Sequence, residues 1–273
     1  MNTKAIAFDL DDTLLRDDLS ISDFTIDTLR QAAASGIRII PASGRAKDSM
    51  KRYVDQIGCA SCFIACNGAE VWAPDHTLLM RKFLPQETAL EIAAFGEAHG
   101  AYAQTYEGAY FYFTHQGKYA DDYAAQSNLT GKCIGPLAPF LKEHESSKIL
   151  MMDAPDRITR MLHEARERFG DQVSVTCSKP WFLEFNPIGA TKGEALAWCG
   201  ERFGFTVNDA MTFGDSLNDL SMLECAGLGV AMANAREDVK ARVHTFCRSN
   251  NEDGVARFIH DSLMMQATME VPS

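Results

Sequence analysis

The 273-residue sequence has no apolar run long enough to span a bilayer, which takes about 20 such residues. The apolar run near its start is cut by Asp9, Asp11 and Asp12, too early for a secretory signal. No membrane partner is expected, and the cytoplasm is the expected location. Basic residues are scarce: 26 Lys and Arg stand against 37 Asp and Glu, a net charge of -11. A general nucleic-acid surface draws its affinity from cations on phosphates, so nucleic acid is not an expected partner. An anionic small molecule stays open, because a bound cation can reverse the local field. Repeats and low-complexity tracts are also missing. In a reducing compartment the eight Cys read as thiols. Cys59, Cys62 and Cys66 cluster, but no fourth ligand stands near them. The run 63–65 between them reads as a strand interior, where buried cysteine is common. They are expected to be structural.

What is present is an ordinary globular composition, 46% hydrophobic and 23% charged, long enough for one large domain or two modest ones. Residues 5–8 form an apolar run that ends abruptly at Asp9, and Asp11 follows. The run reads as a buried strand bounded by a turn. Acids packed at a strand's end are costly unless a cation sits there, and in an open α/β sheet that end is where ligands bind. A solvated acidic turn fits the same residues.

The pattern that follows is strand, helix, strand, helix, strand. Ser22 or Asp23 caps a helix through residue 35, and Gly36 ends it. A strand over 37–40 runs into Ser43-Gly44-Arg45. A helix over 46–57 closes at Gly58, and a third strand spans 62–66. This order predicts a parallel sheet with right-handed crossovers. A hairpin joins 71–72 to 78–82. The pattern then changes. A helix over 86–99 precedes an antiparallel pair, 101–105 and 109–114, turning at Gly108. A helix over 116–127 follows. Residues 128–146 carry no clear signal. A strand over 147–153, a helix over 155–169 and strands over 173–177 and 181–185 complete an α+β insertion. The first pattern resumes near Pro187. Helices over 191–203, 217–226, 237–242 and 253–264 alternate with strands over 210–213, 229–232 and 243–246. The tail 266–273 reads as loose. The expected fold class is α/β, a doubly wound, mostly parallel Rossmann-like core with an inserted α+β cap. The expected division is 1–82 core, 83–187 cap and 188–273 core.

Four stretches of the core carry chemistry: Asp9-x-Asp11-x-Thr13, Ser43-Gly44-Arg45, Lys192, and Gly214-Asp215-Ser216-Leu217-Asn218-Asp219. Each alone fits a turn, a cap or a solvated residue. Together they put acids, a hydroxyl and a lysine at one sheet edge. Phosphoryl transfer needs positioning and charge neutralisation. A divalent ion between Asp9 and Asp215 would offset both acids, and Mg²⁺, hard and oxygen-loving, suits them. Ser43 and nearby backbone N–H groups can donate to phosphate, and Lys192 supplies a point charge. A carboxylate can itself attack phosphorus.

The set resembles the haloacid dehalogenase superfamily, and more closely its Cof-type sugar-phosphatase branch, in which a cap is inserted between the second and third motifs. Asn67-Gly68-Ala69, the run 229–234 and Asn250-Asn251-Glu252-Asp253-Gly254-Val255 match as well. The resemblance implies Asp9 as nucleophile and Asp11 as general acid, then base, with the Asp11 pKa tuned upward when substrate binds. It implies Mg²⁺ held by the Asp9 carboxylate, the Asp11 backbone carbonyl and Asp215. Ser43, Gly44, Lys192 and Asn218 would bind the phosphate. Asn218 and Asp219 would support the metal and the lysine, with Thr13 and Arg45 in support. Position 12 is Asp where Gly is usual, and Asp tolerates unusual turn angles. Position 43 is Ser where Thr is common, which keeps the hydroxyl.

The implied activity is Mg²⁺-dependent hydrolysis of a small phosphorylated metabolite, such as a sugar phosphate, by a monomer or small homo-oligomer. A phosphomutase uses the same intermediate. A phospho-acceptor signalling module shares the residue types, but not the DxDxT order or the long insertion. A non-catalytic binding protein would be missing a motif residue, and none is missing. Tyr106, Glu107, Tyr110, His115, Lys118, Lys179 and Trp181 are the cap's candidate leaving-group contacts.

Overall fold

The computed structural model describes residues 3–269. In the first part, β1 (Ala5–Phe8), α1 (Asp23–Ala34), β2 (Arg38–Pro41), α2 (Lys47–Ile57) and β3 (Phe63–Ala65) alternate. The Ser22 hydroxyl caps α1, accepting from the Thr25 N–H at 3.1 Å. Gly58, at a φ of 69°, ends α2. The hairpin is β4 (Glu70–Trp72) and β5 (Leu78–Arg81).

The insertion runs through α3 (Gln86–Ala98), β6 (Tyr102–Glu107), β7 (Tyr110–Phe113), α4 (Lys118–Ser127), β8 (Thr130–Cys133), α5 (Ala138–Leu141), β9 (Ile149–Met152), α6 (Pro155–Phe169), β10 (Val173–Thr176) and β11 (Phe182–Pro187). The chain returns as α7 (Lys192–Phe203), β12 (Ala210–Gly214), α8 (Leu220–Cys225), β13 (Leu228–Met232), α9 (Glu237–Lys240), β14 (Thr245–Cys247) and α10 (Gly254–Met269).

Five parallel strands form the core sheet in the order β14-β13-β12-β1-β2. Side chains alternate across it. Ile6 and Phe8 pack with residues of α1, α2 and α10 on one face. Ala5 and Ala7 pack with Ala195, Leu196 and Cys199 of α7 and Met222 of α8 on the other. The sheet is therefore doubly wound. β3 runs parallel beside the end of β2, through a bridge between Ala42 and Ile64, with the Ser61 N–H on the Ile39 carbonyl and the Ser43 N–H on the Ile64 carbonyl, both at 2.8 Å. The chain turns at Cys66 and Asn67, with φ of 50° and 58°, and β3 pairs on its other side with β4. The third expected core strand thus borders the parallel sheet and also opens a small antiparallel one.

The insertion's six strands lie in the order β10-β11-β9-β6-β7-β8. Residues of α3 and α6 cover one face. The other face packs on α4 and on Ala46, Cys66 and Ala69 of the core. The stretch 128–146 holds β8 and α5. β8 runs parallel to β7, and all four of its residues are exposed. Residues 217–226 form a tight turn over Leu217–Asp219 and then α8, not one helix. The last helix runs to Met269, so 266–269 are helical, whereas 270–273 lie outside the described residues. Among the described residues no helix is long and apolar enough to cross a membrane.

Candidate active site

Strand β1 delivers Asp9 to the sheet edge. Its N–H donates to the Phe213 carbonyl at 3.0 Å, which carries the β1–β12 ladder one residue past β1 and sets Asp9 beside Gly214-Asp215. The chain then turns tightly, with the Leu15 N–H on the Leu10 carbonyl at 2.8 Å. Asp12 takes the left-handed turn position, φ 58° and ψ 7°, where glycine would be freer. The Thr13 hydroxyl reaches across to the Asp215 carboxylate at 2.9 Å.

Lys192 opens α7, whose N-cap Thr191 accepts from the Glu194 N–H at 3.2 Å. Its side chain is fully buried. Its ammonium donates to Asp9 and to Asp219, at 2.5 Å each. An ammonium has three donors, so one is left for another acceptor. The other Asp219 oxygen accepts from the Asp215 and Ser216 N–H groups, both at 2.9 Å. Asp219 is thus committed to holding the lysine and the loop. Gly214 makes room for this, since a Cβ there would lie 2.5 Å from the Asp219 Cβ.

Oxygens of Asp9, Asp215 and Asp219 lie within 4.8 Å of one another. Three buried carboxylates face one ammonium. Burial holds the Asp9 carboxyl well above the ordinary carboxylate range, opposed by Lys192 and reinforced by Asp219 and Asp215. Burial, with the neighbouring Asp219 charge, pushes Asp215 up to about 7. Carboxylates this short of cationic partners fit a hard divalent ion. Asp9 shares only one oxygen with Lys192, and Asp215 accepts from two hydroxyls, Thr13 and Ser216, with no cation, so these two fit the ion better than Asp219, both of whose oxygens are engaged. No cysteine belongs to this group. Cys62 and Cys66 are buried, and the Cys62 sulfur lies 3.6 Å from that of Cys199, as part of the packing.

Asp11 lies on the cavity side. Burial raises its pKa, but the Arg45 charge and hydrogen bonds outweigh burial and hold it below the ordinary range. The upward tuning is expected with substrate bound; without it Arg45 keeps Asp11 charged. The physical reason is a two-point ion pair, with Nε and Nη2 of Arg45 each 2.7 Å from an Asp11 oxygen. Ser43 is buried, and its hydroxyl accepts from the Arg45 N–H at 3.2 Å. Gly44 sits where a Cβ would come within 2.8 Å of the Asn67 side chain. Asn218 donates to Asn67 at 3.0 Å, and its own carbonyl oxygen is buried without a partner.

Asp9, Asp11, Ser43, Gly44, Arg45 and Asn218 line one cavity between core and cap. Thr13, Lys192, Asp215 and Asp219 stand behind it. Of the cap candidates, Lys179 lines this cavity, and Lys118 and Trp181 line a neighbouring one. Tyr106 and Glu107 line a third, away from the carboxylates. Tyr110 and His115 belong to none of the three.

Sequence reasoning missed Lys148 and Glu184. Lys148 donates to Glu184 and, at 2.8 Å, to the Gly44 carbonyl. Glu184 also accepts from Ser178 N–H at 3.2 Å and from Asn67 at 3.4 Å. Both line the catalytic-side cavity. The signal was available: a charge inside each of two apolar strand runs must be paired if buried.

A family model described as haloacid dehalogenase-like hydrolase matches residues 6–259. The chain is 30% identical over 260 residues to a 5-amino-6-(5-phospho-D-ribitylamino)uracil phosphatase, YcsE of Bacillus subtilis, covering 95% of each chain. It is 26% identical over 276 residues to the pyridoxal phosphate phosphatase YbhA of Escherichia coli, covering 97% of this chain and all of that one. A solved haloacid dehalogenase-like hydrolase from B. subtilis superposes with a TM-score of 0.86 at 27% identity, covering 94% of this chain and 99% of the other. The chain belongs to the haloacid dehalogenase-like hydrolases, in their Cof-type branch, and is a phosphoric monoester hydrolase.

Proposed function

We propose that the chain hydrolyses a small phosphorylated metabolite, with Mg²⁺ as cofactor and an aspartyl-phosphate on Asp9 as intermediate. The observation that carries this is the group of three buried carboxylates around Lys192, set behind a cavity with Ser43 and Gly44. Relatives named for a ribitylaminouracil phosphate and for pyridoxal phosphate support a small phosphorylated substrate.

In this reading Ser43, the Gly44 backbone, Asn218 and the third Lys192 hydrogen receive the phosphate. An Asp9 oxygen attacks phosphorus, and the bond from phosphorus to the leaving oxygen breaks. Asp11 gives that oxygen its proton. Asp11 then takes a proton from water, whose oxygen attacks phosphorus and releases Asp9. Asp9, the Asp11 carbonyl and Asp215 would hold Mg²⁺, which supplies charge neutralisation to the phosphate oxygens. Residues 1–82 and 188–273 act as the core and 83–187 as the cap.

The test is phosphate release from sugar phosphates, pyridoxal phosphate, FMN and nucleotides, with Mg²⁺ and with chelator. Release is expected on at least one, lost with chelator and restored by Mg²⁺. Asp9→Asn should abolish it while the circular dichroism spectrum stays native. Full release by Asp9→Asn would displace the nucleophile, and no release from any substrate would refute the reading.

A further inference from the structure

Asn67 stands just after β3, in the left-handed turn at a φ of 58°, and its side chain is buried. Its backbone N–H donates to the Ser43 carbonyl at 3.0 Å, and its side-chain oxygen is what a Cβ on Gly44 would strike. The same oxygen accepts from the Asn218 amide at 3.0 Å. One residue therefore touches both Ser43-Gly44 and Asn218, the groups assigned above to the phosphate.

The partners around Asn67 fix the sense of each amide. Asn186 lies inside β11 and donates to the Cys66 carbonyl at 2.9 Å and to the Ser147 carbonyl at 3.2 Å. Backbone carbonyls only accept, so the Asn186 oxygen faces the other way, where it accepts from the Asn67 amide at 3.0 Å. The second hydrogen of that Asn67 amide faces Glu184 at 3.4 Å, a carboxylate already paired with Lys148. Both Asn67 donors are thus taken by residues of the cap, and only its oxygen is left to meet Asn218. A flipped amide at any of the three links would set oxygen against oxygen.

Among the described residues, Asn67 is the only hydrogen-bond partner of the Asn218 side chain. Without it the Asn218 amide would turn about its side-chain bonds, and binding would have to order it. With it, one N–H is spent and one remains for an acceptor in the cavity that Asn218 lines. A phosphate dianion offers acceptors only, so this N–H is the group it can use. We propose that Asn67 is a positioning residue for the phosphate site, held by Glu184 and Asn186 of the cap and holding in turn the Asn218 amide. This deepens, and rests on, the phosphatase reading above.

The test is a double-mutant cycle on phosphate release with Mg²⁺, using p-nitrophenyl phosphate or any ester named above that is hydrolysed. It is read as kcat/KM and as the Ki of inorganic phosphate, the product. Asn67→Gly deletes the amide and suits the turn, since glycine adopts positive φ freely. It should lower kcat/KM about tenfold, the worth of one hydrogen bond to a charged group, and raise the Ki. Asn218→Ala should do the same. In the Asn218→Ala background, Asn67→Gly should change either constant by less than about twofold, because residues acting through one contact are not additive. Asn67→Ser, shorter and without an amide, takes its place in the cycle if the glycine variant does not fold. A merely structural role gives the same loss in both backgrounds, and that result overturns the proposal, as does full activity in Asn67→Gly. Both leave the phosphatase reading standing. If the wild-type chain releases phosphate from none of these esters, the phosphatase reading has failed, and this inference with it.

Discussion

Arg45 donates to both oxygens of Asp11, to the Ser49 hydroxyl at 2.9 Å and to the Gln126 carbonyl of the cap at 3.0 Å. Such a planar fork holds a carboxylate firmly in its charged form. A general acid must carry a proton, so the pair opposes the first half of the proposed reaction and favours the second, in which Asp11 acts as base. A bound phosphate dianion next to Asp11 would shift the balance back toward the protonated form. Arg45→Met removes the cation, and Asp11 in the free enzyme should then hold its proton to higher pH. The profile of kcat/KM reports the free enzyme's groups. Its limb that falls with rising pH should therefore move to higher pH in Arg45→Met, while the plateau falls through lost positioning. An unshifted limb would show that Arg45 does not set the proton on Asp11. The sequence placed Asp11 and Arg45 at the same edge but did not disclose their pairing. That depends on the direction of a long side chain across the sheet edge, which spacing does not encode.

Lys148 opens the approach to β9 and Glu184 lies within β11, neighbouring strands of the cap sheet. The pair is almost fully buried, with side chains 3% and 1% exposed. Burial alone would raise the Glu184 pKa, but the Lys148 charge and the bonds from Lys148, Ser178 and Asn67 hold it below its usual value. A buried pair contributes little net stability over an apolar pair, but breaking it strands a charge. Glu184→Ala should therefore cost about 3–5 kcal/mol in urea unfolding. Lys148→Met combined with Glu184→Met should recover most of that loss. A loss below about 1 kcal/mol in the single variant would mean that the lysine finds water or another partner. Strand existence was legible here from the apolar runs, and the burial of their charges was not. β8 was illegible for a different reason: Thr130, Gly131, Lys132 and Cys133 are all exposed, so no alternation marks them.

At the scale of the molecule, an ion between Asp9 and Asp215 requires the strands that carry them to be neighbours, and β1 lies beside β12, in parallel register from Ala5 with Ala210 to Phe8 with Phe213. That adjacency was legible because Asp9 and Asp215 need a common cation, and a doubly wound sheet can supply the neighbourhood. The same acids make stability depend on pH. Asp9 and Asp215 have folded-state pKa values above their ordinary 3.8, with Asp215 at about 7. Between pH 4 and the raised values the folded chain holds protons that the unfolded chain has lost. The contribution of these two acids to stability is thus fully present below that window and is lost as pH rises through it. A metal ligand must be deprotonated, so Mg²⁺ held by these acids would bind more strongly over the same interval. At about one hundred times its Kd, Mg²⁺ would stabilise by about 2.7 kcal/mol, a rise of several degrees in Tm. The rise should be clear at pH 8 and small at pH 5. With a net charge of -11, any salt relieves some repulsion, so NaCl at matched ionic strength is the control. Asp215→Asn should be more stable than wild type at pH 8 without metal and respond little to Mg²⁺. Equal Mg²⁺ shifts at the two pH values, or a full shift in Asp215→Asn, would place the cation elsewhere.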